Sequence, residues 1–125
     1  YGGQRYLSEE VITEFTRAHY LDDDNRRGIG FDKPALIPNT GPTCPDASFS
    51  SFGHSGFTGT LAWADPEHDL VYVFLSNRVY PNADNRKLLS MNIRTDIQQV
   101  IYDALRNARL NQIPNPFFPD FKAER

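Results

Sequence analysis

The stretch Gly53-His54-Ser55-Gly56-Phe57-Thr58-Gly59 sets a histidine and a serine side by side among glycines, then runs into the alternating Thr60-Leu61-Ala62-Trp63. The alternation predicts a strand over about residues 54–64, and glycine within a strand marks a close approach by a ligand or another backbone. A nucleophilic serine needs a base within reach, and the only base spaced near Ser55 is His54. Neighbours in a strand point to opposite faces, so these two do not form a nucleophile and its activator. A twisted strand with glycines at its bulges accounts for the same residues with no chemistry at all. Phosphate binding is excluded, because a Walker loop needs Gly-Lys-Ser or Gly-Lys-Thr opening a helix, whereas Gly59-Thr60 continues into a strand.

Metal chemistry finds no support elsewhere in the chain. Asp22-Asp23-Asp24-Asn25 has the look of a calcium loop, but Arg27 and Lys33 stand where the sixth-position glycine and the closing glutamate belong. His19 and His68 are far in sequence from His54 and read as solvated surface residues. Cys44 is the only cysteine, which rules out an internal disulfide and a cysteine-rich zinc site. No metal or other cofactor is expected. Acids and bases are interspersed at a formal net charge of −3, so no basic stripe invites nucleic acid. No apolar run approaches the length of a membrane span. The opening Tyr1-Gly2-Gly3 lacks a methionine, a basic leader and an apolar leader, and reads as an excised piece whose targeting segment lies upstream or was removed.

The elements that position the glycine-rich strand can be read in order. Residues 7–19 predict a helix, with Ser8 as cap, Glu9 and Glu10 in the first turn, Leu7 stapled to Ile12, and Val11, Ile12 and Phe15 as the buried face. Gly28-Ile29-Gly30-Phe31 predicts a short strand after a polar turn. Residues 34–53 carry Pro34, Pro38, Pro42 and Pro45 and predict a loop; one of that length must be functional or packed on something else. Asp65-Pro66-Glu67-His68-Asp69 fits a hairpin connection to a strand at about residues 70–77, whose apolar run Leu70-Val71-Tyr72-Val73-Phe74-Leu75 calls for cover on both faces. Trp63 and Tyr72 read as core contacts. Thr95 to Gln98 forms a capping-box pattern, and Ile97, Val100, Ile101, Ala104, Leu105 and Ala108 recur at helical spacing. Pro114, Pro116 and Pro119 among Phe117, Phe118 and Phe121 predict an extended tail. The expected architecture is α+β: an antiparallel sheet of about three strands packed against an N-terminal and a C-terminal helix.

Taken together, Tyr1 to Ser8, Gly28 to Phe31, Phe52 to Thr60, Asp65-Pro66-Glu67 and Val73 to Arg78 resemble, in that order, the closing part of serine β-lactamases and penicillin-binding proteins. The likeness is to the β-lactamase-related members that write the Lys-Thr-Gly motif as His-x-Gly. It implies a β-lactamase/transpeptidase-like fold in which residues 1–125 form the C-terminal part of the hydrolase domain. Within it, residues 1–21 would be a helical segment, 26–78 the sheet with its long loop, 90–110 the C-terminal helix and 111–125 the tail. By resemblance His54 stands for the lysine, Ser55 for the threonine and Gly56 for the glycine, while Phe57 offers its backbone N–H to an oxyanion hole. Gly56 then lacks a side chain because the substrate carbonyl comes close. An imidazole at position 54 would serve near a general base or a substrate carboxylate, neutral or charged. The implied substrate is a small amide or ester, and the implied setting is periplasmic or otherwise extracytoplasmic in a bacterium. The run Met91 to Gln99 resembles bacterial proteins that join this domain to a family-three glycoside hydrolase.

The same resemblance requires Ser-x-x-Lys and a Tyr-x-Asn or Ser-x-Asn loop. Lys33 and Lys87 have Gly30 and Asp84 three residues earlier, and Tyr80-Pro81-Asn82 matches in letters only, after the last strand, where it reads as a turn. The chain is therefore expected to hold one wall of a site, to be inactive alone, and to have the missing N-terminal part of its parent as partner, with homodimers as another outcome of exposed apolar surface. The alternative is a non-catalytic interaction module of the same fold, binding through the proline-rich loop or the Phe117-Phe118 tail.

Overall fold

Ser8 caps the first helix, its side chain accepting the Val11 N–H at 3.3 Å, and α1 runs Glu9–Thr16 with Glu9 and Glu10 in its first turn. The computed structural model describes residues 2–23, 25–37 and 40–111; the expected tail lies outside the described residues. Helix α1 is shorter than residues 7–19, and its apolar face is not buried as expected. Val11, Ile12 and Phe15 instead line an open apolar groove of about 420 Å³ with Leu7, Phe31 and Phe52. No second layer closes over that groove among the described residues.

Gly28 to Phe31 does not form the expected strand. Gly30 takes φ +80° and Gly28 N–H bonds back to Phe31 O at 3.0 Å, so the segment turns on itself. Only Asp32 stays extended, bridging Gly53 through N–H to O bonds of 2.7 and 3.1 Å.

The sheet has three antiparallel strands in the order β1 (Phe52–Ser55), β2 (Leu61–Asp65), β3 (Leu70–Phe74). The single strand expected over residues 54–64 is thus two strands and a turn. Gly56 N–H bonds to Thr60 O at 2.8 Å and Gly59 N–H to Gly56 O at 3.0 Å, which reverses the chain. Gly59 has φ +92°, and a Cβ there would lie 2.6 Å from Ser76 Oγ, so this position requires glycine. The glycines that signalled a close approach serve first to turn a hairpin. The 65–69 connection forms as expected, with Asp65 Oδ1 accepting Glu67 N–H at 3.1 Å and Asp65 O accepting His68 N–H at 3.2 Å.

One face of the sheet carries the core: Leu61, Trp63 and Tyr72, with Phe74 and Ile101 packed against them. Trp63 and Tyr72 are the core contacts the sequence predicts. Each such side chain stabilises by roughly 1.5–3 kcal/mol on burial. The cover is α3 (Ile93–Asn111), which follows the short α2 (Lys87–Ser90). Helix α3 starts two residues before the expected cap, and Thr95 Oγ1 bonds back to Asn92 O at 2.8 Å.

Its buried stripe also differs from the apolar one. Gln98 and Tyr102 are buried, Ile101 and Leu105 partly so, while Ile97, Val100, Ala104 and Ala108 face outward. Two buried polar groups explain the rotation: Gln98 Oε1 accepts the Cys44 N–H at 2.9 Å, and Tyr102 OH donates to Asp65 Oδ2 at 2.5 Å. A buried carboxylate left unpaired costs more than a partly exposed isoleucine, so the Tyr102–Asp65 bond carries most of this choice; Gln98 Nε2 itself is buried with no partner among the described residues.

Asp65 is the hub. It also accepts from Ser48 N–H at 2.9 Å, Ser48 Oγ at 2.7 Å and His68 Nδ1 at 3.1 Å. Burial alone would raise its carboxyl, but the bonds from Tyr102, Ser48 and His68 outweigh it and hold the pKa at about 2. Burial and the same carboxylate push the Tyr102 phenol upward. His68, read as a surface residue, is instead anchored here and packs edge-on against Tyr102 at 5.0 Å. The proline-rich loop is thereby packed onto the sheet, and Ser51 Oγ accepts the Trp63 indole N–H at 3.0 Å.

Candidate functional site

All four predicted site residues lie together at the end of β1 and the start of its turn. His54 and Ser55 are the last two strand residues, and Gly56 and Phe57 open the reversal. Pairing of Gly53 with Trp63 and of His54 with Ala62 fixes the faces. Gly53 and Ser55 share the covered face with Leu61 and Trp63, whereas His54 stands on the open face with Ala62 and is exposed. The two side chains point apart, as the strand requires.

The His54 ring has a defined orientation. Nδ1 lies 2.9 Å from Ser55 O, and since a carbonyl only accepts, Nδ1 carries the hydrogen. In the neutral ring Nε2 is then the free acceptor. Lys33, buried, donates Nζ to Ser50 O at 2.9 Å, on the loop that enters β1, and desolvation lowers its pKa.

Backbone groups form the rest of the site. Gly53 exchanges both outward-facing bonds with Asp32, so β1 is flanked beyond β2 only at that residue. By the alternation of an antiparallel ladder, Ser55 N–H and C=O point to the same outer side. The Phe57 N–H that follows has no partner among the described residues. A Cβ at Gly56 would lie 2.5 Å from Thr60 Oγ1, so any larger residue there makes the Thr60 hydroxyl move.

What holds this turn was not legible as a motif. Arg94, in the first turn of α3, donates Nη1 to Gly59 O at 3.1 Å and Thr60 O at 3.4 Å. Burial lowers its pKa. Arg78 N–H and Ser76 Oγ both donate to Thr58 O, at 2.9 and 3.1 Å. The Arg78 guanidinium also lies 4.9 Å over the Phe57 ring, and it is itself held by Ala83 O and Asn85 O. Ser76 and Arg78 end the closing hairpin, so their place after β3 was the available signal. Arg94 carried none, because only the crossing of α3 over the turn brings it there.

Among the described residues no cluster of three or more His, Cys, Asp or Glu side chains is placed to hold a metal ion, and no helix is long and apolar enough to cross a membrane.

Comparison with known proteins gives a consistent family. The sequence profile of the family described as Beta-lactamase matches residues 2–91. Proteins of Salmonella enteritidis PT4 and Salmonella paratyphi B, each named "Putative D-alanyl-D-alanine carboxypeptidase", are 30% identical over 91 residues. That alignment takes in 70% of this chain and 20% of each relative, so the chain spans about a fifth of their length. No solved structure matches.

Proposed function

The chain belongs to the β-lactamase family of serine hydrolases, and from that premise we propose that it supplies one wall of an acyl-enzyme site acting on a small amide or ester. In this reading residues 1–125 are the C-terminal part of the hydrolase domain. A longer protein provides Ser-x-x-Lys and the Tyr-x-Asn or Ser-x-Asn loop, and this chain alone does not turn over substrate. The setting is extracytoplasmic in a bacterium.

The observation that carries the reading is the Phe57 N–H, without a partner among the described residues, in the turn that follows β1 and is clamped at Thr58, Gly59 and Thr60. As a serine attacks the carbonyl, charge develops on its oxygen, and a preset amide donor there supplies a few kcal/mol to the transition state. A donor held by a rigid turn needs no reorganisation at that moment. His54 Nε2, exposed on the same strand, is free to accept from the general base or the substrate. The relatives' name points to an amide, cleaved at a terminal residue, as the substrate class.

Two measurements test this. Intact-mass spectrometry of the chain after incubation with a β-lactam or a p-nitrophenyl ester is expected to show no covalent adduct, and an adduct at Ser55 overturns the wall-only reading. In the protein that joins this chain to its Ser-x-x-Lys segment, His54→Ala is expected to lower kcat/KM by about tenfold or more with unchanged melting. An unchanged kcat/KM would favour the non-catalytic module instead.

A further inference from the structure

Three consecutive residues outside the strands hold β1 and the residues that lead into it. The Phe31 ring meets the Phe52 ring edge-on at 5.1 Å, Asp32 exchanges both backbone bonds with Gly53 at 2.7 and 3.1 Å, and Lys33 Nζ donates to Ser50 O at 2.9 Å. His54 is the next residue along the strand. With four residues, β1 is at the short end for a strand, so its place depends on what grips it from outside its own ladder.

The gripping segment is itself fixed. Arg26 donates Nη2 to Asp32 Oδ2 at 2.9 Å and Nε to Lys33 O at 3.0 Å, and Asp32 Oδ1 accepts the Lys33 N–H at 3.0 Å. A planar guanidinium that contacts two successive residues sets the backbone between them.

Lys33 is the member of this group that stability alone does not explain. It is 3% exposed, and its ammonium donates to a neutral carbonyl. Desolvation pulls its pKa down, and the Asp65 charge opposes this only in part. A methionine would fill the same space without desolvating a charge, so packing is not what the ammonium supplies. What it adds is direction: a donor at one fixed point, which sets the Ser50 carbonyl where the chain enters β1.

We propose that Lys33 is a positioning residue for the acyl-transfer site: braced by Arg26 and Asp32, it sets the path on which the chain enters β1 and so the place of His54. The proposal rests on the reading of β1 as one wall of that site.

The test uses the protein that joins this chain to its Ser-x-x-Lys segment, with a p-nitrophenyl ester as substrate. Lys33→Met is expected to lower kcat by about tenfold and to change KM by less than about twofold, because a misplaced group slows chemistry more than binding. Melting is expected to be no lower than that of the natural protein. In the His54→Ala background the same change is expected to cost less than about twofold, since a residue that acts through His54 has nothing left to position. Equal losses in both backgrounds, or a loss that tracks a lowered melting point, make Lys33 a general stabiliser and overturn the proposal. If Lys33→Met does not fold, Arg26→Gln carries the test: a loss of kcat of about threefold confined to the protein that retains His54 supports the brace, and an unchanged kcat overturns it. The two readings fail separately. An active-site wall that survives while the brace falls appears as His54→Ala lowering kcat/KM and Lys33→Met leaving it unchanged. If His54→Ala itself leaves kcat/KM unchanged, the wall reading fails and takes this proposal with it.

Discussion

The Phe57 N–H has no partner among the described residues, its ring lies beneath the Arg78 guanidinium, and the residue sits in the reversal that begins at Gly56. The reversal depends most on Gly59. Its φ of +92° is closed to residues with a Cβ, and the space beside it is taken by Leu88 and Ser76. Gly59→Ala is expected to destabilise the chain by about 1–3 kcal/mol, read as a lowered denaturant midpoint, because the substitution adds backbone strain to a steric clash. Among the proposed site residues, the neighbourhood of His54, Ser55, Gly56 and Phe57 was legible, since they are consecutive in the chain. Their division between β1 and a turn was not legible. Alternation over Thr60 to Trp63 looks continuous with His54, and four glycine-bounded residues are short enough to pass for a bulge.

Helix α3 reaches the β1–β2 turn through Arg94, which donates to two carbonyls of the turn while Tyr72 OH bonds its own carbonyl at 3.1 Å. The first turn of α3 thus meets both the β1–β2 turn and β3 at this one residue. Arg94→Ala is expected to leave global melting little changed and to speed amide exchange at Gly59 by roughly fivefold relative to amides of the β2–β3 ladder, as loss of about 1 kcal/mol of local hydrogen bonding would. Equal acceleration throughout the sheet would instead make Arg94 a general stabiliser. The helix itself was legible from its periodic apolar residues, but its orientation was not. The stripe Ile97, Val100, Ile101, Ala104, Leu105 and Ala108 predicted one face; only Ile101 and Leu105 of it are partly buried, beside Gln98 and Tyr102.

For the molecule as a whole, Asp65 ties the proline-rich loop, the β2–β3 turn and α3 together, and this makes acid the natural probe of cohesion. Its carboxyl sits at about 2 when folded against an ordinary 3.8. A carboxyl that is more acidic when folded contributes stability above the unfolded value and loses it as pH falls through the folded one. At most about 2 kcal/mol should therefore disappear between about pH 4 and pH 2. Urea midpoints measured across that window are expected to fall more steeply for the natural chain than for Asp65→Asn, and parallel slopes would remove Asp65 from this role. The sequence by itself determined the α+β class, the capped first helix, the antiparallel β2–β3 hairpin and the family, because caps, turns and alternation are local and motif order along the chain needs no coordinates. Only the tertiary structure decided that Gly28 to Phe31 is a turn, that α1 lines an open groove, that Arg94 and Arg78 clamp the Phe57 turn, and that polar side chains face the sheet from α3. Each of those outcomes is set by which buried group finds a partner and which apolar face finds cover, and that competition is settled between residues far apart in the chain.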